Sequence, residues 1–370
     1  MANLLSLHNF KAFKDVSLEL RPLTVLAGLN GAGKSTALQA LALLRQSRDA
    51  GFLDTKGFLL NGELVELGTG SDLLHDQHED DVIRVGLHDG RTPWEWEAAY
   101  APEADVLHFA ATPKHSMFAG NFDGGLFGNN FQYLRADRAS PNVSYPKSYH
   151  VVSERRFLGT RGEFTAHYLN AFRDVAIPET LQHPEEAAPG LLSQTNAWMQ
   201  MFSPGVSVDV AEVPRTDFIR LDYTYGGSAG ISSSNPFRPT NVGFGLTYAL
   251  PVVVACLASP RGSWVLVENP EAHLHPQGQG AMGEMIARAV AAGITIIVET
   301  HSDHLLNGIR IAVKDGVIAP EQIGLNFFHR PRGALEPSHE QPRISREGRL
   351  NVWPDGFFDQ WDKSLDRLLP

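Results

Sequence analysis

The octapeptide Gly28-Leu29-Asn30-Gly31-Ala32-Gly33-Lys34-Ser35 determines how this chain must fold near its N-terminus. An apolar run, residues 23–27, comes directly before it and is typical of a buried strand. After it, apolar residues recur at helical spacing, at Ala37, Leu38, Leu41 and Leu44. The hydrophobic period changes at the octapeptide itself, which predicts a strand, a glycine-rich turn and a helix in succession.

This succession has the composition of a loop that binds phosphate groups. Its glycines let the backbone wrap around phosphates, so that successive N–H groups point inward. Lys34 is suited to reach the β- and γ-phosphates, and the Ser35 hydroxyl is suited to ligate Mg²⁺ at the helix N-terminus. The alternative is a glycine-rich turn with an incidental Lys-Ser pair. We predict ATP and Mg²⁺ as ligands, with the phosphates held by Asn30, Gly31, Ala32, Gly33, Lys34, Ser35 and Thr36.

Two later apolar runs end in side chains that can serve a nucleotide. Residues 264–267 are followed by Glu268, which we predict to hold Mg²⁺. Residues 296–298 are followed by Glu299-Thr300-His301, which places His301 where a γ-phosphate or an attacking water can be sensed. The alternatives are a core strand that ends in an exposed acid and an ordinary surface histidine.

The composition limits the class of protein. Of the 370 residues, 43% are hydrophobic and 20% are charged, which excludes a disordered chain. The single Cys256 lies in an apolar run and excludes an internal disulfide. No apolar run approaches the roughly 18 residues of a membrane span, and the N-terminus lacks the segments of a signal peptide. We therefore expect a cytoplasmic protein without a membrane partner.

Both ends of the chain carry alternating strand and helix patterns, whereas the middle is less regular. We predict an α/β fold, with a mixed sheet flanked by helices and an inserted, mainly helical second lobe. In the lobe, residues 163–202 have a helical pattern interrupted by prolines, and residues 205–231 alternate as strands. The C-terminal part of the core is predicted to contain helices over residues 241–258 and 278–291 and strands over residues 264–267 and 294–298.

Three blocks resemble the ABC-type ATPases of the RecF, SMC, Rad50 and overcoming-lysogenization-defect (OLD) group: residues 28–36, 268–276 and 299–302. The segments 7–14 and 353–360 are similar to AAA-family ATPases that carry a DUF3696 C-terminal segment. The resemblance implies a P-loop ABC-ATPase-like core. It divides the chain into an N-terminal core part (1–88), an insertion (89–235), a C-terminal core part (236–330) and a DUF3696-like segment (331–370).

In this group, a signature segment of one subunit contacts the γ-phosphate bound by the other. The most similar segment here is residues 241–246, Asn-Val-Gly-Phe-Gly-Leu, which lacks the full Leu-Ser-Gly-Gly-Gln string. The resemblance implies a homodimer, or a higher oligomer, in which Asn241, Gly243 and Gly245 act in trans. The alternative is a helix start loosened by two glycines. For the loop glutamine of these ATPases, Gln77 is a weak candidate, and an ordinary surface position is the favoured alternative.

Asn269 departs from the pattern of many relatives, in which a glutamate follows the Mg²⁺-side carboxylate and activates water. An asparagine cannot accept a proton there. Glu271 either replaces that glutamate, with Glu268 and His301 completing the catalytic set, or merely caps the following loop. The resemblance places His273 and His275 in a loop at the dimer interface, so we expect no transition metal there.

A basic segment, residues 135–161, offers a further contact surface. Its arginines are interleaved with aromatic residues, which suits phosphate or base contacts with DNA or RNA. The alternatives are pairing with the acidic residues of 63–81 and, for Arg138 alone, an approach to the nucleotide. The candidate nucleic-acid contacts are Arg135, Arg138, Arg155, Arg156 and Arg161.

Two functions follow from these observations. The first is an ATPase whose nucleotide-dependent dimerisation drives or gates a nucleic-acid-associated complex, in DNA repair or anti-phage defence, with a separate effector such as a nuclease. The second is a slowly hydrolysing, ATP-gated scaffold or sensor that controls an effector protein. Asn269 favours the second function, whereas the combination of Glu268, Glu271 and His301 favours the first. A nuclease within the chain is not expected, because residues 355–366 suggest only an amphipathic terminus.

Overall fold

The computed structural model describes residues 3–88, 93–110, 125–226, 234–331, 334, 336–354, 356–358, 365 and 367–368. The strands are β1 (Leu4–Phe10), β2 (Phe13–Glu19), β3 (Leu23–Gly28), β4 (Gly57–Leu59), β5 (Val82–His88), β6 (Pro93–Ala99), β7 (Val106–His108), β8 (Phe131–Leu134), β9 (Ser144–Pro146), β10 (Val206–Glu212), β11 (Phe218–Tyr225), β12 (Trp264–Glu268), β13 (Thr295–Thr300), β14 (Ile323–His329) and β15 (Ser338–Glu340). The helices are α1 (Lys34–Asp49), α2 (Gly70–Leu73), α3 (Thr165–Phe172), α4 (Leu191–Met199), α5 (Phe244–Ala258), α6 (Pro276–Ala291) and α7 (Asp303–Lys314).

The chain forms two compact units. The first contains Met1–Asn129, Pro320–Ser345 and Leu350–Pro370, and the second contains Asn130–Ala319 and Arg346–Arg349. These divisions differ from the predicted boundaries after residues 88, 235 and 330. Strand pairing explains the difference: β6 pairs with β5 inside the first unit, whereas β8 pairs with β12 inside the second. The insertion predicted as one lobe is therefore shared between the two units.

The first unit presents the predicted strand–turn–helix. All but the last residue of β3 are buried, and α1 begins at Lys34, directly after the glycines. β3 pairs in parallel with β14, and β15 adds to β14 in the antiparallel direction. An antiparallel sheet of order β2-β1-β5-β6 and the pair β4-β7 complete this unit's sheet structure. The hydrophobic face of α1 includes Leu38, Leu41 and Leu44, as its spacing predicts.

In the second unit, β8, β12 and β13 lie side by side and run parallel. Because parallel strands end at the same edge, the last residues of these three strands lie together. β12 and β13 are buried almost throughout, and their central residues are apolar, as expected for strands covered on both faces. Helix α6 packs against α7, and α4 packs against α5.

The middle of the chain is less helical than predicted. Within residues 163–202, helices form only over α3 and α4, and the segment between them contains Pro178, Pro184 and Pro189, which interrupt helical hydrogen bonding. Strands β9, β10 and β11 form an antiparallel sheet in this region. The alternation in β10 buries Val206, Val208 and Val210 and produces one apolar face.

Two further expectations concern membrane-spanning helices and the C-terminal segment. Along the described ranges, no helix combines the length and the apolar character that crossing a membrane requires. The acidic residues that suggest an amphipathic terminus, Asp355, Asp359, Asp362 and Asp366, lie outside the described residues.

Candidate functional site

The phosphate loop has the backbone conformation that its glycines permit. Gly28, Gly31 and Gly33 adopt φ angles of 139°, 72° and 97°. A Cβ at Gly28 would lie 1.9 Å from the carbonyl oxygen of Phe328, and one at Gly33 would lie 2.4 Å from the ring of Phe13. Both conformation and space therefore require glycine at these two positions.

Lys34 lies inside this loop. Its side chain is 3% exposed, and its Nζ donates hydrogen bonds to the carbonyl oxygens of Gly28 at 3.1 Å and Leu29 at 2.8 Å. The ammonium group is therefore held over the loop by the loop's own backbone. It stands at the first turn of α1, a turn that contains no acidic residue and has no side-chain cap.

The loop meets the requirements of a phosphate site. The N-terminal N–H groups of a helix carry partial positive charge, and Lys34 adds a full positive charge. Asn30 and Gly31 are exposed, Ala32, Gly33, Lys34 and Thr36 are buried, and Ser35 is half-buried as the second residue of α1. All of the predicted phosphate-binding residues thus lie on one loop and one helical turn.

In the second unit, Glu268 ends β12 and is held by the end of β8. The Tyr133 hydroxyl donates a hydrogen bond to Glu268 Oε1 at 2.5 Å, and the Ala136 N–H donates to Oε2 at 3.0 Å. Burial and the neighbouring Glu268 charge raise the pKa of Tyr133, so the phenol remains a donor. Each carboxylate oxygen keeps a further lone pair, which leaves Glu268 able to bind a metal ion.

Arg138 fixes the backbone at the same point. Its guanidinium donates to the carbonyl oxygens of Glu268 and, at 3.1 Å, Asn269. Arg138 is 1% exposed, and burial lowers its pKa to about 10, a shift that the charges of Glu271 and Glu268 oppose. Arg138 is therefore not part of a surface basic patch, which corrects its assignment as a nucleic-acid contact.

Asn269 occupies a left-handed backbone conformation, with φ of 44°. Its N–H donates to the Glu299 carbonyl oxygen at 2.8 Å. Asparagine tolerates left-handed conformations better than glutamate does. The residue that departs from the relatives' pattern thus has a conformational reason to be asparagine.

Glu271 and His301 are in direct contact. The backbone N–H of His301 donates a hydrogen bond to Glu271 Oε1 at 2.9 Å. Glu271 is 7% exposed, and burial raises its pKa, against the opposing effects of its hydrogen bonds and of Arg138. Among the described residues, its second oxygen, Oε2, is buried and has no hydrogen-bond partner.

The residue after His301 anchors it to two helices. Ser302 caps α7, because its hydroxyl accepts a hydrogen bond from the Leu305 N–H at 3.0 Å. The same hydroxyl donates to Gln279 Oε1 on α6 at 2.5 Å. The packing of α6 against α7 therefore sets the position of the backbone at His301.

The signature-like segment lies at the start of α5. Gly243 is exposed and is the N-cap residue, and no side chain caps this helix. A Cβ on Gly243 would meet nothing within 4 Å, whereas one on Gly245 would lie 2.5 Å from the His273 carbonyl oxygen. Gly245 is therefore required for packing, whereas Asn241 and Gly243 present an open helix N-terminus.

The remaining basic candidates are dispersed. Arg135 and Arg161 both pair with Asp137, at 2.9 Å and 3.6 Å. Arg155 lies 5.2 Å from the centroid of Phe157, and Arg156 lies 3.8 Å from that of Phe172. Arg135 follows β8, whereas the Arg156 backbone contacts Gln132 near the start of that strand. Arg135 and Arg156 therefore lie at opposite ends of β8 and do not form one basic surface there.

Three other predicted positions occupy ordinary settings. Gln77 lies exposed in a turn of the first unit. His275 precedes α6 and accepts a hydrogen bond from the Gln277 N–H, and His273 packs its ring against Tyr248. Within the part of the chain that the structure describes, no three His, Cys, Asp or Glu side chains are grouped to hold a metal ion.

Sequence reasoning missed Tyr133 and Gln279. Tyr133 lies on β8, whose four residues Phe-Gln-Tyr-Leu are all buried but do not form an uninterrupted apolar run. No clear signal in the sequence therefore marked its role beside Glu268. Gln279 had none either, because its role depends on how α6 meets α7.

The glycine-rich loop before α1 and the polar residues that end β12 and β13 are the features of an ATP-binding P-loop protein. Residues 23–307 match a family described as AAA domain, putative AbiEii toxin, type IV TA system. This match covers more than half of the chain, so the chain belongs to that AAA-domain family. Residues 318–368 match a family described as a protein of unknown function, DUF3696. The resemblance inferred from the sequence is thereby confirmed. No curated protein sequence matches the chain.

Solved structures with a similar fold include head domains of SMC proteins. An SMC head bound to the C-winged helix domain of ScpA has a TM-score of 0.54 and 13% identity, over 92% of this chain and 98% of that one. An SMC head with an extended coiled coil, bound to the C-terminal domain of ScpA derived from Pyrococcus furiosus, has a TM-score of 0.51 and 12% identity, over 100% and 99%. The SMC head domain from Thermotoga maritima has a TM-score of 0.48 and 10% identity, over 93% and 99%. The first two confirm the predicted P-loop ATPase fold.

Proposed function

We propose that this protein hydrolyses ATP and that nucleotide-dependent dimerisation drives or gates a nucleic-acid-associated complex in DNA repair or anti-phage defence. The phosphate loop carries this proposal, because its glycine conformations and the buried Lys34 ammonium form a cradle for phosphate groups. A separate effector, such as a nuclease, is the proposed partner. The similarity to SMC heads, which bind ScpA, supports a protein partner.

Each proposed site residue has a role that its surroundings support. Ser35 and Glu268 are the proposed Mg²⁺ ligands, and the ion would supply positive charge to the phosphate oxygens. Glu268 is suited to this role because Tyr133 and the Ala136 N–H fix its orientation. Asn241, Gly243 and Gly245 are proposed to contact the γ-phosphate bound by a second copy of the chain, through the uncapped N-terminus of α5.

Glu271 is the proposed proton acceptor. Its raised pKa brings a carboxylate toward the range in which a general base works at neutral pH. Its hydrogen bond from the backbone N–H of His301 supports a joint role for the two residues. Glu271→Gln keeps an acceptor for that N–H but cannot take up a proton. We expect this variant to bind ATP normally and to hydrolyse it more slowly.

The central experiment is ATP binding by Lys34→Ala, measured by calorimetry. Removing the only side-chain cation of the loop should weaken binding by orders of magnitude. Lys56→Ala is the matched control, because Lys56 lies in the same unit over the ring of Phe52, outside the loop. Unchanged affinity in Lys34→Ala would contradict the assignment.

A slowly hydrolysing, ATP-gated scaffold is the second candidate function. The observation in its favour is Asn269, whose backbone is engaged by Arg138 and Glu299 and whose side chain cannot accept a proton. Steady-state ATP turnover with and without DNA separates the two functions. Turnover that DNA accelerates supports the first, whereas slow turnover independent of DNA supports the second.

A further inference from the structure

The second unit contains a half-open cavity of about 330 Å³. It lies beside the start of β8, whereas Glu268 is the last residue of the parallel strand β12. Helix α3, the loop after it, the start of α4 and the end of α5 complete its walls. The cavity is therefore at the other end of these strands from the residues proposed for catalysis.

Most of the wall is apolar. Its aliphatic and proline lining residues are Val175, Ile177, Pro178, Leu191, Leu257 and Pro260. Phe172 and Tyr168 form an aromatic pair on α3, with ring centroids 4.7 Å apart. Such a surface gains free energy when an apolar group displaces its water. Val175, at 54% exposure, is the kind of exposed apolar side chain that a ligand would cover.

Of the described residues that line the cavity, Arg156 is the only charged one. Its guanidinium lies 3.8 Å from the centroid of the Phe172 ring, and its charge opposes the rise that burial causes in the pKa of Tyr168. Among the described residues, it forms no ion pair with a carboxylate. Arg156 is exposed, so its guanidinium is open to a ligand from solvent. A cation beside a largely apolar cavity, without an acidic partner, favours an anionic group on the ligand.

The backbone at Arg156 is also held in place. Gln132 donates to the Arg156 carbonyl oxygen at 2.6 Å and accepts from the Leu158 N–H at 3.1 Å. Arg156 itself has a φ of 53°, a conformation that costs free energy for a residue other than glycine. The backbone at Arg156 is thus fixed, and the guanidinium rests on the ring of Phe172, which favours this orientation before any ligand binds.

We propose that this cavity binds a small amphipathic carboxylate, with its carboxylate on Arg156 and its aliphatic part against the apolar wall. The planar guanidinium matches a carboxylate through two parallel N–H bonds. The volume equals that of about ten water molecules, so the ligand has on the order of ten non-hydrogen atoms. This site is independent of the proposed ATPase function.

Octanoate and 1-octanol form a matched pair of probes, because they share the alkyl chain and differ in charge. Calorimetric titration of the full chain should show saturable binding of octanoate, at least tenfold tighter than that of 1-octanol. Arg156→Gln should remove this preference and leave 1-octanol binding unchanged. Arg155→Gln should keep it, because Arg155 lies over Phe157 and does not line the cavity. Ala258→Phe, which fills the cavity, should abolish binding of both probes.

The proposal is overturned if the natural chain shows no saturable octanoate binding, or if Arg156→Gln keeps the preference for octanoate. It is also overturned if a folded Ala258→Phe binds both probes normally. N-acetyl-Val-Leu, with a free carboxyl group, tests whether the cavity instead receives the C-terminus of a protein. Binding of this dipeptide at least tenfold tighter than octanoate would reject the free acid as the ligand.

Discussion

Tyr133 controls the orientation of Glu268, because its hydroxyl donates to one carboxylate oxygen at 2.5 Å. In Tyr133→Phe this oxygen loses its donor, and the carboxylate gains rotational freedom. We expect the Mg²⁺ concentration for half-maximal ATP turnover to rise and turnover to fall by about tenfold. Tyr145→Phe is the matched control, because Tyr145 is also buried but bonds to the Asn142 N–H. An unchanged Mg²⁺ dependence in Tyr133→Phe would show that Tyr133 does not position Glu268.

The buried charge of Glu271 should appear in the pH dependence of stability. Burial raises the folded-state pKa of Glu271 above its ordinary value of 4.5. Its contribution to stability is therefore full below pH 4.5 and is lost as pH rises through the raised pKa. Glu271→Gln carries no such charge and still accepts the His301 N–H. The difference in melting temperature, Glu271→Gln minus the natural chain, should therefore increase as pH rises from 4.5 to the raised pKa. At higher pH this difference should stay constant.

Glu271→Ala completes this comparison, because it removes both the charge and the acceptor for the His301 N–H. If Glu271 only positions His301, turnover should be lost in Glu271→Ala and kept in Glu271→Gln. The proposed proton acceptor requires that both variants lose it. A constant difference in melting temperature between Glu271→Gln and the natural chain would contradict the assigned burial of the charge.

Single residues were predictable where a local pattern marks them. Glu268 and His301 each follow an apolar run, and the glycine spacing marks Lys34. Tyr133 and Arg138 contact Glu268 from positions 135 and 130 residues away in the sequence. No local pattern states which strand lies beside which, so their part in the site follows only from the pairing of β8 with β12.

At the scale of helices, glycine decides how closely α6 approaches α7. A Cβ on Gly283 would lie 2.1 Å from the Leu305 carbonyl oxygen, whereas one on Gly280 would have its nearest neighbour 3.8 Å away. Gly283→Ala must push the helices apart, and we expect it to lower the free energy of unfolding by about 1–3 kcal/mol. Gly280→Ala should be neutral or stabilising by up to about 1 kcal/mol, because alanine favours a helix.

Denaturant unfolding of the two glycine variants measures this difference. Because Ser302, the N-cap residue of α7, is held by Gln279, the same shift should also disturb His301 and slow ATP turnover in Gly283→Ala. Equal stability of the two variants would show that the close approach of α6 and α7 is not a constraint on the fold.

Elements were predicted well where one hydrophobic period runs uninterrupted. The strand predicted over residues 264–267 is observed as Trp264–Glu268, and the helix predicted over 241–258 is observed as Phe244–Ala258. The helix predicted from residue 278 begins at Pro276, because proline is favoured in the first helical turn and His275 caps it. Between residues 163 and 202 the short runs between prolines could not show where each helix ends.

At the scale of the whole molecule, sequence order and spatial grouping differ. Pro320–Ser345 joins the first unit because β14 pairs with β3, about 300 residues earlier in the chain. Composition changes slowly along the chain and gives no sign of such distant pairing. The sequence therefore could not predict that β3 pairs with β14, although it did predict strand β3 itself.

The proposed dimer can be tested at Gly243, the uncapped and exposed N-cap of α5. Gly243 has an ordinary φ of −60°, and a Cβ there would meet nothing within 4 Å. Aspartate therefore fits, and it caps a helix at least as well as glycine does, so the isolated chain should lose no stability. Its negative charge at the helix N-terminus would repel the γ-phosphate of a nucleotide bound by a second copy.

Sedimentation velocity with Mg²⁺ and a non-hydrolysable ATP analogue measures this effect. The natural chain should associate with the analogue more strongly than with ADP, because a ligand bound only by the dimer shifts association by mass action. Gly243→Asp should remain monomeric under the same conditions. Gly243→Asn is the matched control, since it adds nearly the same side chain without the charge, and it should retain most of the association. If Gly243→Asp associates as the natural chain does, the N-terminus of α5 does not contact the nucleotide of a second copy.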